Sequence, residues 1–373
     1  MKIVIAMDSF KGTMSAVEAC EITAQAVAEL VPAAKIVIKP MADGGEGTAA
    51  AMIKAASGKW IPQTATGPLF DMQVEAGFAW FDEDKTALVE MAAASGMTLL
   101  GKEQMNPLKT TTYGTGELIK AASEYGAKKI MLAVGGSATV DGGTGAAAAL
   151  GWKFPDCQGN PIRPCGGELE KIAKIVRPEN FHPVPLEVLC DVTNPLCGEK
   201  GAAGVYGPQK GATPEMVEQL EKGLSHLAEL VKKQLHVDIK NVAGAGAAGG
   251  LAAGALAFMN GKLVSGIETV MAWSNLSGEL QSADWVITGE GSFDRQSLYG
   301  KVVWGIVKKA SQSRCRTAVI AGRVAVPKKE YQKLGITAVI ACQKDNMSLD
   351  YALENCRRLL RSAAQQFVKE MLL

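Results

Sequence analysis

The chain has 373 residues, 47% of them apolar and 21% charged, with a formal net charge of +1; that leaves room for two domains or one large one. No long basic or acidic run occurs, which excludes the electrostatic footprint of a nucleic-acid partner or an anionic membrane surface. Eight cysteines without a CxxC pair, and three histidines (His182, His226, His236) at no metal-ligand spacing, predict reduced thiols in the cytoplasm and no structural zinc.

The opening "MKIVIAMDSF" lacks the long apolar core and small-residue cleavage site of a secretory leader. "KIVIAMD" reads instead as a buried parallel strand. "SAVEACEITAQAVAELV" follows at helical spacing, with Ser15 and Glu18 in a capping-box pattern. A second strand, "AKIVIKPM", a glycine-rich turn and a second helix, "GTAAAMIKAA", complete a β-α-β-α start. The alternation of "KWIPQTATGPLFDMQVEAGFAWFDEDKTALVEM", with turns at Thr66-Gly67-Pro68 and Asp82-Glu83-Asp84, predicts antiparallel hairpins. Then come a helix near "GTGELIKAASEYGA", strands "KKIMLAV" and "LEVLCDV", and a long helix from Pro214 with Thr213 as N-cap. Residues 242–259 are uncharged, at the lower edge of membrane-spanning length. Thirteen of those eighteen are Gly or Ala, so the stretch reads as a buried loop and helix in close packing. Three further strands, "ADWVITGEG", "RTAVIAG" and "ITAVIACQ", alternate with helices, and a final helix begins near "DYALENCRRLL". The prediction is a flavodoxin-like, doubly wound parallel sheet from residues 1–62 plus 282–373. A mixed-sheet α/β domain, residues 63–281, is inserted in it.

Ligands of parallel sheets bind beyond the carboxyl ends of the strands. Four such ends carry the same mixture of glycine, hydroxyl and carboxylate, residues 8–13 (DSFKGT), 42–48 (ADGGEGT), 135–143 (GGSATVDGG) and 288–294 (TGEGSFD), and a fifth, 191–196 (DVTNPL), carries hydroxyl and carboxylate without glycine. Glycine lets a ligand approach backbone N–H groups, and a helix start favours an anion. Asp43 and Glu46 would repel bare phosphate. They suit a magnesium–nucleotide, because carboxylates hold Mg²⁺ that bridges to phosphates, or a polyol whose hydroxyls donate to them. A Walker A loop is absent; the sequence around Lys301 lacks both the upstream glycine and the hydroxyl. A G-x-G-x-x-G occurs at Gly244, Gly246 and Gly249, with Glu268 further on, which keeps an NAD(P)-linked oxidoreductase open as an alternative, although no strand precedes it. A non-enzymatic two-domain protein closing on a small anion is the other alternative.

In order along the chain, "DSFKGTMSA", "ADGGEGT", "EMAAASG", "NPLKTTTYGTGELI", "GGSATVDGGTGAAAALG", "CDVTNPLCGEKGAAGVYGPQKGATPEM", "GAGAAGGLAAG" and "ITGEGSFDRQSLYGK" closely resemble the type I bacterial glycerate kinases, the glycerate 2-kinases. The resemblance runs over essentially the whole chain and is weakest in the last 30 residues. It departs at Met7, where relatives often have proline. It implies ATP- and Mg²⁺-dependent phosphorylation of D-glycerate to 2-phosphoglycerate, with a two-domain α/β architecture and a site in the cleft between domains. On that resemblance Asp191 is the expected catalytic base, with Lys11 and Asp8 as further catalytic groups. Ser9, Asp43, Gly44, Gly45, Glu46, Gly135, Gly136, Ser137, Thr139 and Asn194 are expected around the substrate. Gly289, Glu290, Gly291 and Asp294 are expected on the nucleotide side, and Asp43, Glu46 and Asp141 near the metal.

Overall fold

The apolar runs at the two ends of the chain pair with one another. This is seen in a computed structural model that describes residues 1–298, 302–344 and 346–373, the side chains of Gln296 and Leu298 excepted. Lys301 lies outside the described residues. The chain divides into two units, the first made of Met1–Asp43, Ala50–Ser57 and Ile267–Leu373, the second of Gly44–Ala49 and Gly58–Gly266.

In the first unit, strands β1 (Lys2–Met7), β2 (Lys35–Ile38), β9 (Trp285–Gly289), β11 (Arg316–Ala321) and β13 (Ile336–Ala341) form a parallel sheet in the order β13-β11-β9-β1-β2. This is the flavodoxin-like order. Ile3, Val4 and Ile5 are all fully buried, as a strand covered on both faces requires. From β1 the chain passes to β2 on one side, and from β9 to β11 on the other. The order therefore reverses between β1 and β9, and that switch point is where such sheets bind ligands. The helices Ala16–Leu30 and Cys356–Met371 pack together. Ser15 caps the first, its hydroxyl accepting from Glu18 N at 3.2 Å. Phe367 of the second is fully buried and meets Trp285 edge-on, with centroids 5.1 Å apart. Two short strands, β10 (Ser292–Phe293) and β12 (Arg323–Val324), pair in parallel just beyond the ends of β9 and β11.

The second unit holds β3 (Lys59–Thr66), β4 (Gln73–Phe81), β5 (Thr86–Glu90), β6 (Lys129–Ala133), β7 (Leu186–Leu189) and β8 (Gly261–Val264) in sequence order. The first three are antiparallel and the last four run parallel, so the sheet is mixed. The helix Pro214–Leu235 starts at Thr213, whose hydroxyl accepts from Met216 N at 3.3 Å. Its Leu220, Leu224, Leu227 and Val231 form one buried stripe at helical spacing. The Gly/Ala tract folds as a turn and the buried helix Leu251–Phe258. Among the described residues no helix is long and apolar enough to cross a membrane.

Both predicted boundaries move. The chain enters the second unit at residue 58 rather than 63, because β3 pairs with β4 along its whole length from Lys59. It returns at 267 rather than 282. Ile267 and Met271 pack against Gly305, and Lys2 holds Glu279 at 2.7 Å, so both intervening helices belong to the first unit. The turn Gly44–Ala49 also belongs to the second unit.

Phe367→Ala removes a fully buried ring from the first unit and is expected to cost about 3–5 kcal/mol. In urea unfolding, the transition that exposes Trp285 should move to lower concentration, and the transition of the second unit should stay in place.

Candidate active site

At the switch point of the first unit, the ends of β1 and β9 open into a cavity of about 280 Å³. Its polar end is lined by Asp8, Ser9, Lys11, Asp43, Glu290 and Arg323. Asp8 continues β1: its N–H donates to the Gly289 carbonyl at 2.9 Å, and its Oδ1 accepts from Ser9 N at 2.7 Å. Only 7% of Asp8 is exposed. Burial, and then the charge of Asp43, push its carboxyl up to about 7; Glu290 adds to the rise, while the Ser9 N–H and Lys11 oppose it. Three carboxylates thus share one cavity against the charges of Lys11 and Arg323. Oxygen donors of this kind suit a hard cation, and Mg²⁺ characteristically takes one or two carboxylates and keeps waters and phosphate oxygens as its other ligands. Among the described residues no three His, Cys, Asp or Glu side chains form a ready-made metal cage. The donor set therefore fits a metal that arrives with its own ligands.

The loops of the second unit are held by backbone contact. A Cβ on Gly135 would stand 2.4 Å from Gly45 Cα, and one on Gly44 2.8 Å from Leu189 O. Only glycine lets the turn 44–46 sit against the ends of β6 and β7. Gly135 N donates to Gly44 O at 3.2 Å, and the Glu46 carboxylate stands beside Gly136. The start of the helix Thr48–Ala56 is already capped: Glu90 accepts from Ala49 N at 2.6 Å, and Gly47 N donates to it as well. Burial pushes the Glu90 carboxyl up against those two bonds.

Beneath loop 135–139 lies Lys210, 2% exposed. Its Nζ donates to Ser137 Oγ at 2.6 Å and to the Thr139 carbonyl at 2.8 Å. Burial pulls its pKa down to about 7, and the charge of Asp141 works the other way. Asp141 itself is inaccessible and accepts four bonds, from Thr112 N (2.7 Å), Thr112 Oγ1 (2.8 Å), Gly143 N (3.0 Å) and Gly145 N (3.3 Å). Burial raises its carboxyl while these donors hold it down.

At the end of β7, Asp191 is exposed and lines a separate hollow with Thr193, Gly244 and Ser265. Its Oδ1 accepts from Ser265 Oγ at 2.7 Å and from Gly266 N at 3.1 Å. These two donors orient a carboxylate that faces water.

Several expected ligands serve the scaffold instead. Asp141 is not a metal ligand, since its four donors take up its oxygens out of reach of solvent. Asn194 braces its own loop: its amide donates to Lys200 O at 2.9 Å and its Oδ1 accepts from Tyr206 OH at 2.8 Å. Gly289 lies inside β9, where a Cβ would come within 1.8 Å of Ile320 O, so it is there for strand packing. Asp294 closes a turn with Ser297 (Asp294 N to Ser297 Oγ, 3.1 Å) and is not among the residues lining the cavity. Ser137 and Thr139 are buried and bind Lys210. The glycines of the G-x-G-x-x-G tract are packing glycines as well. A Cβ on Gly249 would meet Thr139 O at 1.9 Å, and no strand leads into the tract, so the dinucleotide-binding context is missing. Sequence reading passed over Lys210, Arg323 and Glu90. The one visible signal for Lys210 was its setting in "YGPQKGA", a cation enclosed by turn formers.

The comparisons agree with this geometry. The model of the glycerate kinase family matches residues 3–372. The chain is 43% identical to the glycerate kinase of Halalkalibacterium halodurans, over 97% of this chain and 96% of that one. It is 44% identical to the glycerate 2-kinase of Escherichia coli K12, over 94% and 93%. A solved structure of a candidate glycerate kinase 2 from Salmonella typhimurium LT2 superposes with a TM-score of 0.85 at 41% identity, covering 100% of this chain and 98% of that one.

Two consequences can be measured on the metal-free protein. Asp8 has its pKa raised from 3.8 to about 7 by folding, so the native state binds more protons between those values and loses stability as pH climbs through them. Asp8→Asn should therefore melt at a higher temperature than the parent at pH 8 in EDTA, with the difference shrinking towards pH 4. Lys210 has the opposite sign. Its pKa falls from 10.5 to about 7, the unfolded chain binds more protons in between, and stability rises with pH across that window. Lys210→Met should abolish that rise in melting scans between pH 7 and 9.5.

Proposed function

This chain belongs to the glycerate kinase family, matched from residue 3 to residue 372, and from that premise we propose that it transfers the terminal phosphoryl group of Mg-ATP to the 2-hydroxyl of D-glycerate, giving 2-phosphoglycerate and ADP. The family makes the chain a kinase acting on glycerate. The nucleotide, the metal and the 2-hydroxyl are the finer parts of the reading. One observation carries them: Asp8, Asp43 and Glu290 crowd a single cavity with Lys11 and Arg323 at the switch point of a doubly wound sheet. Crowded acids beside fixed cations suit a metal-bound polyphosphate and have no evident use towards a neutral ligand.

In this reading the first unit takes the nucleotide. Asp8, Asp43 and Glu290 would take part in holding a Mg²⁺ that arrives with the nucleotide, and the metal would supply charge compensation for the phosphates. Lys11 adds a mobile positive charge at the same end. The second unit takes glycerate. Loop 135–139, braced from behind by Lys210, frames the site for a small anion, and Glu46 accepts from a substrate hydroxyl. Asp191, aimed by Ser265 and Gly266, accepts the proton that the attacking hydroxyl gives up. Phosphoryl transfer asks little more of a protein than such positioning and charge compensation. The eight cysteines are all unpaired with one another, which fits the reducing cytoplasm.

Incubation with Mg-ATP should release ADP only when glycerate is present, and phosphorus NMR of the product should show the ester at carbon 2. Asp191→Asn should lower kcat about 10²–10⁴-fold and leave calorimetric Mg-ADP affinity unchanged. ADP release without glycerate would refute the substrate, and full turnover by Asp191→Asn would remove the base.

A further inference from the structure

The cavity of the first unit has a second half that phosphates and metal do not explain. Besides its charged groups it is lined by Phe10, Cys342, Leu349, Ala352, Leu353 and Leu359. Residues 349, 352, 353 and 356 recur at helical spacing and so fall on one face of the chain that runs through the helix Leu349–Glu354 into the next. That face is unusually bare. Leu349 is 61% and Leu353 46% exposed, and the same six-residue helix holds Tyr351 at 42%. Exposed apolar surface that adjoins a charged pocket marks a place where a ligand completes the packing.

We infer that this wall is the subsite for the purine base of the nucleotide, with the ribose spanning the cavity towards the phosphates at Asp8, Lys11 and Glu290. Glycerate cannot be the guest of the wall, because a three-carbon acid with an oxygen on every carbon gains nothing from six apolar side chains. A flat aromatic base does, and the cavity of about 280 Å³ is of the order that a nucleoside needs. A polar anchor is at hand as well. Gln343 lines the cavity, and its Nε2 is engaged with the Met347 carbonyl at 3.0 Å. Its carbonyl oxygen remains as an acceptor, the complement of the exocyclic amino group of adenine. The floor beneath is backbone: a Cβ on Gly322 would meet Gly291 O at 2.4 Å, so the turns after β9 and β11 meet there without intervening side chains.

The inference rests on the placement of the nucleotide in this cavity, and the test separates the two. Calorimetry compares Mg-ADP with magnesium tripolyphosphate, which has phosphates and no base, on the full-length protein. Leu353→Asp changes a position that is 46% exposed, Ala352→Glu a partly buried one, and unchanged melting temperatures confirm that each variant is folded. Each should weaken Mg-ADP at least tenfold, leave tripolyphosphate within twofold, and raise the KM for ATP while the KM for glycerate stays put. Lys11→Met should weaken both ligands. If the wall variants bind Mg-ADP as the parent does while Lys11→Met weakens both ligands, the base subsite is wrong and the phosphate site stands. If the wall variants lose tripolyphosphate as fully as Mg-ADP, the wall is structural and the inference falls. If Lys11→Met changes neither ligand, the nucleotide binds elsewhere and the inference falls together with the reading it rests on.

Discussion

A carboxylate with no access to water organises the loops of the second unit. Asp141 gathers Thr112, Gly143 and Gly145 onto its two oxygens, and thereby ties the start of the helix Tyr113–Glu124 to the loop that follows β6. A buried carboxylate without those donors would cost several kcal/mol, so the loop has one acceptable conformation. The neighbouring threonines extend the same constraint. Thr110 donates to Ala138 O at 2.8 Å and Thr111 to Pro164 O at 2.8 Å, which satisfies carbonyls that the tight loop turns inward. Lys210 then enters from the opposite side and takes Ser137 and Thr139. The loop after β6 is therefore braced from behind by Thr110, Thr112 and Lys210.

The first unit works the other way. Its cavity gathers three acids near one another, with Asp8 held well above its usual range by burial and by the charge of Asp43. Perturbed carboxyls of this kind cluster where a protein does chemistry, at some cost to the stability of the fold. The surrounding sheet supplies the stability that the cavity lacks, through a core that runs from Ile3 and Ile5 across Trp285 to Phe367 and Val368. Positioned charge is most of what phosphoryl transfer needs, and each unit by itself offers charged or polar groups held in place by its fold.

Much of this was legible along the chain. The strands could be read from short β-branched runs, the helix starts from Ser15 and Thr213, and the loops at the carboxyl ends of the strands from the glycines and acids that follow each run. The antiparallel start of the second sheet followed from the alternation before Met91. The boundaries were missed by five and fifteen residues, since a strand beginning at Lys59 and the helices after Gly266 carry no local mark of which sheet they join. Asp141, Asn194 and Gly289 make scaffold contacts that the sequence did not reveal, for one reason. A polar residue or a glycine in a loop looks the same whether it faces a ligand or a neighbouring carbonyl.

The sequence by itself determined the fold class and the family, because hydrophobic periodicity and ordered motifs are local properties of the chain. The tertiary structure alone decided which polar groups in those loops are spent on the scaffold and which remain for a ligand. That division depends on burial and on partners many residues away, as when Lys210 reaches Ser137 or Ser265 aims Asp191, and no window of sequence contains both members of such a pair.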